Sequence, residues 1–344
     1  MSTPRGVISP SPEEGDRQFE SALRPITLAD FTGQRKVKEI LAIAIQAARA
    51  RGEAMDHVLF HGPPGLGKTT LAAIVAMELG AAFDQTSGPV LQKKLDLTGI
   101  LSNIRERQVF FIDEVHRLMM DVEEMLYSAL EDYRVDIVIG AGPGARTHSL
   151  PIPRFTCIAA TTRQGLVSAP MRGRFGLVLR LNHYDVDDMT KIVTRSASLL
   201  EVAIDPEGAR EIGRRARGTP RIANRLLRRV RDFAQVRAAG DIDLGVAQQA
   251  LDLLEVDRYG LDEADRKLML AILQNYGGGP VGLNTLAAAI DEQAETIEEV
   301  YEPYLIQLGF LDRTPRGRIA TERAWDYFKV KRRSVIPQAS LFDE

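Results

Sequence analysis

Between about residue 19 and residue 181, the chain alternates short apolar runs with longer amphipathic segments. The short runs are rich in β-branched and aromatic residues, which favour strands. The segments between them repeat their apolar residues with the period of a helix. Strands are predicted at residues 58–61, 109–112, 134–139 and 155–160, and helices at residues 37–51, 68–79 and 121–130. This alternation is typical of an α/β domain.

The pattern changes after residue 185, where no further strands are indicated for about seventy residues. Four successive helices are predicted at residues 187–200, 207–217, 220–238 and 246–254. After residue 257, three more helices precede two short strands that flank Pro315-Arg316-Gly317. Thr296 lies three residues before Glu299, the spacing of a capping box, and is expected to open the third of these helices. Three helices followed by a hairpin indicate a winged helix.

These changes of pattern divide the chain into four predicted parts. A polar, proline-containing arm that we expect to be flexible occupies residues 1–18. A large α/β domain covers residues 19–184, and within it residues 134–152 form a hairpin with a glycine-rich turn at residues 140–144. A small helical domain covers residues 185–256, and a winged helix covers residues 257–344.

Composition excludes several classes of protein. The 344 residues are 44% hydrophobic and carry a net charge of −3, which fits a folded protein and not a disordered chain. Cys157 is the single cysteine, so an intrachain disulfide is impossible. No apolar run reaches the length of a membrane span, and the first residues lack the apolar stretch of a secretory signal. A cytoplasmic location is therefore expected.

The strongest motif is GxxxxGKT at residues 62–69, between a predicted strand and a predicted helix. Glycines such as Gly65 and Gly67 let backbone N–H groups curl around a polyphosphate, and the start of the helix adds a favourable dipole. Lys68 is expected to reach the terminal phosphates. Thr69 is expected to bind Mg²⁺ through its hydroxyl group, and Thr70 completes the loop. ATP and Mg²⁺ are thus the predicted cofactors.

Two carboxylates, Asp113 and Glu114, end the apolar strand at residues 109–112. Charges at the end of a buried strand are costly unless they meet a cation or water. Asp113 is expected to complete the Mg²⁺ site, and Glu114 to orient the attacking water. Thr162, at the end of the last strand, is a candidate sensor of the γ-phosphate. His116 has no second histidine at metal-binding spacing and is expected at the surface or behind the catalytic residues.

Arginines follow the predicted core in two places. Arg172 and Arg174 lie in a glycine-flanked loop, which is either a solvated basic loop or the source of an arginine finger for a neighbouring subunit. Pro220 suits a first helical turn, from which Arg221 could reach a phosphate.

The end of the chain is basic despite the acidic total. Between residues 313 and 333 there are eight basic residues and only two acidic ones, Glu322 and Asp326. Basic side chains on a hairpin are suited to contact DNA phosphates. Such contacts depend on the shape of the DNA backbone and not on the base sequence. The preceding helix carries Glu298, Glu299 and Glu302, which disfavours insertion into a major groove. The candidate DNA contacts are Arg313, Arg316 and Arg318.

Taken together, these motifs resemble an AAA+ ATPase and, more specifically, the RuvB family, the bacterial motors of Holliday-junction branch migration. The expected fold is an α/β P-loop AAA+ ATPase core with a small helical lid and a C-terminal winged helix. The resemblance extends over nearly the whole chain after the arm. It rests on Leu23-Arg24-Pro25, Gly33-Gln34 and residues 62–70, 86–89, 111–118, 160–163, 172–176, 217–227, 278–283 and 301–321.

The resemblance implies roles for particular residues. It implies nucleotide contacts at Leu23, Arg24, Tyr184, Pro220 and Arg221, a sensor at Thr162 and an arginine finger at Arg174. It also implies a homohexameric ring that acts on duplex arms of Holliday junctions without sequence specificity, in recombination, DNA repair and the SOS response. RuvA and, in a resolvasome, the RuvC resolvase are the implied protein partners.

The implied docking site for RuvA is the hairpin at residues 134–152, where the family typically presents two aliphatic residues. This chain has His148 and Leu150 at those positions, so only Leu150 is aliphatic. The change indicates one of two things. Either this exposed turn has changed in sequence by drift, or its surface has adapted to the RuvA of the same organism.

Two other functions fit part of the pattern. A protein-remodelling AAA+ enzyme would need a pore-loop aromatic or a protease-docking element, and neither is clear in the sequence. A replication initiator or clamp-loader subunit also joins this type of ATPase to a winged helix and uses ATP as an assembly switch. Base-reading polar residues on the helix at 296–308 would favour the latter, and there are few.

Overall fold

A computed structural model of the chain describes residue 20 and residues 22–139 and 146–332. The arm predicted at residues 1–18, the hairpin turn predicted at residues 140–144 and the chain after residue 332 lie outside this range. The chain forms two compact units. The first contains the described residues up to Glu201 together with Gly218–Asn224, and the second contains Val202–Arg217 and the residues from Arg225 onward.

A five-stranded parallel sheet forms the centre of the first unit. Its strands are β1 (Val58–His61), β2 (Phe83–Ser87), β3 (Val109–Asp113), β6 (Thr156–Thr161) and β7 (Leu177–Arg180), in the spatial order β2-β3-β6-β1-β7. A separate antiparallel hairpin pairs β4 (Arg134–Ile139) with β5 (Arg146–Pro151). The α/β prediction is confirmed, since the sheet is parallel and helices connect most of its strands.

The sequence analysis missed the two edge strands, β2 and β7. The sequence of β2, FDQTS, contains a single apolar residue, and none of its side chains is fully buried. By contrast, every residue of β6 is buried. Edge strands pack on fewer neighbours than central ones, so their sequences carry a weaker apolar signal.

The first unit contains six α-helices among the described residues. Their bounds in the first unit are Arg35–Arg51, Lys68–Leu79, Lys94–Leu101, Met120–Glu131, Ala169–Arg172 and Val186–Leu199. The helix Met120–Glu131 buries Val122, Leu126 and Ala129 in a core that also contains Phe110 and Phe155. Cys157, which is fully buried, belongs to the same core, and burial raises the pKa of its thiol.

The second unit contains short helices followed by a winged helix. Its helices are Pro206–Arg215, the part of Pro220–Arg237 from Arg225, Leu244–Leu253, Glu263–Leu270 (continued by a wider turn at Ala271–Asn275), Leu283–Ile290 and Glu322–Phe328. A further helix runs through Ala294–Thr296, Ile297–Tyr301 and Glu302–Gln307. The wing is the antiparallel pair β8 (Leu311–Thr314) and β9 (Gly317–Ala320).

Two details of the winged helix correct the sequence analysis. Thr296 does not cap its helix: its backbone is helical (φ −62°, ψ −43°), and Gln293 is the extended residue before the first turn. The capping-box spacing was misleading because Ala294 and Glu295 already continue the helix towards the N-terminus. Gly317 belongs to β9 and pairs with Thr314, so the turn consists of Pro315 and Arg316 alone.

A buried arginine joins the helices of the second unit to its winged helix. Arg217, 5% exposed, donates from Nε to the carbonyl of Gly260 at 2.7 Å. Its guanidinium also pairs with the fully buried Asp265 and lies 5.0 Å from the centre of the Tyr304 ring. Breaking a buried pair leaves a buried charge without a partner, so this contact holds the two parts in one arrangement.

Candidate active site

The phosphate-binding loop lies between β1 and the helix Lys68–Leu79, as the motif predicts. Gly62 has φ +141°, and a Cβ there would lie 2.4 Å from the carbonyl oxygen of Leu181. Gly67 has φ +100°, and a Cβ there would lie 3.0 Å from the Phe31 ring. Only glycine accommodates this close approach and these dihedral angles. The loop is therefore shaped by its glycines to present backbone N–H groups.

Lys68 is buried at the start of that helix. Its ammonium group donates to the carbonyls of Gly62 and Pro63, at 2.8 Å each. Burial lowers the pKa of Lys68 to about 8, and the charges of Asp113 and Glu114 oppose this shift. A bound polyphosphate would supply further negative charge beside the buried ammonium group.

Thr69 and Asp113, the two predicted Mg²⁺ ligands, meet at the edge of the sheet. The hydroxyl of Thr69 donates to Oδ2 of Asp113 at 3.3 Å. Within the described residues, no cluster of three or more His, Cys, Asp or Glu side chains could hold a metal by itself.

Glu114 follows Asp113 with a left-handed backbone, φ +51°. The hydroxyl of Thr162 donates to Oε2 of Glu114 at 3.4 Å, and Nε2 of His116 lies 3.5 Å from the same oxygen. These contacts arise because β3 and β6 are neighbours in the sheet and Thr162 directly follows β6. The predicted water-activating residue and the predicted sensor therefore touch.

A single cavity brings together the predicted nucleotide contacts. Its walls include Leu23, Arg24, Gly65, Gly67, Lys68, Thr69, Thr70, Asp113, Glu114, Thr162, Tyr184, Pro220 and Arg221. Tyr184 donates its hydroxyl to the Leu66 carbonyl at 3.1 Å and is held by a backbone bond to Gly218. Burial raises the pKa of its phenol. All these residues belong to the first unit.

The sequence analysis did not single out Glu20, which also lines this cavity. Its carboxylate pairs with Arg221, with 3.2 Å between Oε1 and Nε. No local motif signals Glu20, since its partner lies about two hundred residues away in the chain. Only the fold brings the two side chains together.

Arg174 lies outside the cavity of its own chain. Its guanidinium pairs with Glu131 at 2.9 Å, donates to the carbonyl of Pro170 at 2.7 Å and stacks over the Tyr127 ring at 4.4 Å. Arg172 instead donates to the carbonyls of Gln164 and Val167. Arg172 therefore closes its own loop, whereas Arg174 is held against the helix Met120–Glu131.

The wing arginines differ from one another. Arg316 is exposed at the turn, and Arg313 is half exposed and pairs with Glu298 at 2.6 Å. Arg318 corrects the sequence analysis, because its guanidinium is buried and forms an ion pair with Glu302, whose side chain is 1% exposed. Since residues of β9 alternate between faces, Arg318 points inward and is not available to DNA.

In the hairpin, His148 pairs with Ile137 and Leu150 pairs with Val135. His148 and Leu150 are both exposed, Leu150 by 40%, whereas Val135 is fully buried. Leu150 is thus an exposed apolar residue on a hairpin outside the main sheet.

Comparisons with known proteins agree over most of the chain. Three family models match in sequence order: the Holliday junction DNA helicase RuvB P-loop domain at residues 23–181, the RuvB AAA lid domain at 184–257 and the RuvB C-terminal winged helix domain at 258–329. None of the described helices is long and apolar enough to cross a membrane.

Individual relatives are also similar over their full length. The Holliday junction branch migration complex subunit RuvB of Solibacter usitatus is 72% identical over 329 residues, covering 96% of both chains. The subunit from Koribacter versatilis is 64% identical over 94% of this chain and 90% of its own. The structure of the Thermotoga maritima RuvB Holliday junction branch migration motor is 49% identical. It aligns with a TM-score of 0.82 over 90% of this chain and 99% of its own.

The site predicts that two substitutions separate binding from hydrolysis. Lys68→Ala removes the buried cation, so nucleotide affinity should fall by about tenfold or more, as for a lost hydrogen bond to a charged group. Glu114→Gln keeps the cavity and should bind ATP normally, with kcat lower by about 10²–10⁴, the usual contribution of a general base. Fluorescent-nucleotide titration and steady-state phosphate release measure the two effects. Normal turnover by Glu114→Gln would rule out its assigned role.

Proposed function

The chain belongs to the RuvB family, and we propose on that basis that it is the ATP-driven motor that moves Holliday junctions during homologous recombination and DNA repair. The observation that carries this proposal is the agreement of three consecutive RuvB family models with the residues that meet in the cavity. The initiator, clamp-loader and remodeller alternatives gain no support from the matched relatives. We also propose a cytoplasmic location, where a motor acting on bacterial chromosomal DNA would work.

We infer that ATP hydrolysis proceeds by in-line attack of water on the γ-phosphate. Lys68 would bind the β- and γ-phosphate oxygens, and Glu114 would orient the water. Thr69 and Asp113 would hold Mg²⁺, which when bound neutralises charge on the phosphate oxygens. Thr162, in contact with Glu114, is placed to respond to the γ-phosphate.

Arg174 is proposed to act on the ATP of a neighbouring subunit in a homohexamer. Its absence from its own cavity and its position against Glu131 support action in trans. A guanidinium supplied in trans stabilises the charge that develops during phosphoryl transfer. The ring is therefore needed for chemistry as well as for enclosing DNA.

Movement is proposed to start at Arg221. Pro220 and Arg221 line the cavity and are the first two residues of the helix Pro220–Arg237, so a phosphate that displaces Arg221 would act on the start of this helix. We propose that the chain divides into the four parts predicted from its sequence, which are the arm, the large domain, the lid and the winged helix.

The wing is proposed to contact the phosphate backbone of duplex DNA through Arg313 and Arg316. Backbone contact suits a motor that must move over any sequence. The hairpin β4–β5 is proposed to bind RuvA, with Leu150 as its apolar anchor and His148 beside it. A RuvA-bound junction moved in this way would be the substrate of RuvC.

The arginine-finger proposal predicts complementation between inactive subunits. Arg174→Ala should lower kcat by about 10³-fold or more while keeping nucleotide affinity. Mixing it with Lys68→Ala should restore part of the activity, because a Lys68→Ala subunit still donates Arg174 to an intact neighbouring site. Arg172→Ala serves as the matched control and should show no such rescue. A larger loss with Arg172→Ala that is rescued in trans would identify Arg172 as the finger instead.

The wing proposal predicts different outcomes for two neighbouring arginines. Arg316→Ala should weaken binding equally for all duplex sequences and reduce the salt dependence by about one counterion. Arg318→Ala leaves Glu302 buried without its partner and should destabilise the winged helix by about 3–5 kcal/mol. Fluorescence anisotropy at several salt concentrations and urea unfolding separate the two effects. A sequence-selective loss in Arg316→Ala would contradict backbone contact.

The proposed function is tested directly by branch migration. The protein together with its cognate RuvA should convert a synthetic four-way junction to duplex products only when ATP is hydrolysed. Leu150→Asp should abolish this conversion and weaken RuvA binding by about tenfold or more, since it places a charge on an apolar contact. ATP hydrolysis without RuvA should be unchanged. His148→Ala, the control in the same hairpin, should have a smaller effect, and unchanged RuvA affinity in Leu150→Asp would place the interface elsewhere.

A further inference from the structure

His116 is a buried histidine beside the catalytic residues that the mechanism above does not use. It lies in the short helical turn Val115–Arg117, which directly follows Glu114, and its side chain is 5% exposed. One ring nitrogen, Nδ1, is 2.9 Å from the hydroxyl of Thr161. The other, Nε2, is 3.5 Å from Oε2 of Glu114. The imidazole therefore bridges the last residue of β6 and the water-activating carboxylate.

The hydrogen bonds of Thr161 indicate how the ring is protonated. The Thr161 oxygen accepts the backbone N–H of Arg163 at 3.0 Å, which leaves its own hydroxyl proton to donate. If that proton goes to Nδ1 of His116, the neutral ring carries its hydrogen on Nε2. This hydrogen then faces Oε2 of Glu114. The 3.5 Å separation is long for a hydrogen bond, and catalytic contacts of this kind tighten when substrate binds.

The end of β6 thus holds Glu114 by two routes. Thr162 contacts Oε2 directly, and Thr161 reaches the same oxygen through His116. The backbone of Glu114 also packs closely against Gly88, where a Cβ would lie 2.4 Å from the Glu114 carbonyl oxygen. Through these two contacts, the end of β6 would orient the Glu114 carboxylate. The same end of β6 is followed by Thr162, the proposed γ-phosphate sensor.

We propose that His116 is a positioning residue that donates from Nε2 to the Glu114 carboxylate and couples its orientation to the end of β6. The proposal rests on the proposed role of Glu114 in activating water. It differs from an ordinary buried histidine such as His57, which is bonded to the carbonyl of Leu130 and the backbone N–H of Cys157. His57 contacts no residue of the cavity walls through these bonds and provides a structural control.

A matched pair of substitutions distinguishes positioning from packing. In His116→Gln, the side-chain amide can occupy the place of Nε2 and still donate to Glu114. In His116→Asn, the shorter amide reaches only the place of Nδ1 and retains the contact with Thr161 alone. We expect His116→Asn to lower kcat by about 10- to 100-fold, as for a lost hydrogen bond to a charged group, and His116→Gln to retain most of kcat.

Nucleotide affinity and KM should be unchanged in both variants, since His116 does not line the cavity. His57→Gln should lower the midpoint of thermal unfolding while leaving kcat intact. If His116→Asn fails to fold, Thr161→Val, which removes the hydroxyl donor, should show the same loss of kcat, with Thr161→Ser as its active control. Normal kcat in His116→Asn or Thr161→Val, or equal loss in the Gln and Asn variants, would overturn the proposal.

A double-substitution cycle tests whether His116 acts through Glu114. In single-turnover assays, adding His116→Asn to Glu114→Gln should cause no further loss, because the group being positioned is already gone. An additional 10-fold loss would show that His116 acts by another route and would overturn the inference. Normal turnover by Glu114→Gln alone would instead contradict the proposed function of Glu114, so the two failures are distinguishable.

Discussion

The arrangement of the site depends on one buried charge, the ammonium group of Lys68. Burial opposes that charge strongly enough to lower the pKa of Lys68 to about 8. Two backbone carbonyls of the loop and the nearby Asp113 and Glu114 offset the cost only in part. The negative charge of a polyphosphate beside Lys68 would offset the rest of this cost. The buried ammonium group therefore destabilises the empty site and favours nucleotide binding.

The sheet order then determines which residues surround that phosphate. The carboxyl ends of β1, β3 and β6 lie side by side, so the loop, the two carboxylates and Thr162 meet although about a hundred residues separate them in the chain. In the second unit, Arg217 bonds to Asp265 and Gly260 and so keeps the winged helix fixed to the preceding helices. The winged helix and the helices bonded to Arg217 would therefore move together.

The sequence alone predicts a site residue wherever local chemistry allows very few residue types at that position. The loop glycines, Lys68 and the carboxylates at the end of an apolar strand could all be predicted, because backbone geometry and buried charge leave few alternatives. The burial of Arg318 could not be predicted. A basic residue on a hairpin gives the same sequence pattern whether its side chain faces solvent or a buried Glu302. The contact of Glu20 with Arg221 and that of Thr162 with Glu114 depend on packing of distant elements, which no local pattern encodes.

The geometry also supports the proposal that a second subunit completes this site. The cations that line the cavity of the first unit are Arg24, Lys68, Arg195 and Arg221, and Arg221 is already paired with Glu20. Arg174, the proposed source of stabilising charge in the transition state, is held by Glu131 and Tyr127 on a surface that the cavity does not include. An exposed carboxylate holds a guanidinium only weakly, because solvent screens the pair. A neighbour's triphosphate carries more charge than Glu131, so assembly of subunits would draw Arg174 out of this contact and make hydrolysis dependent on the ring.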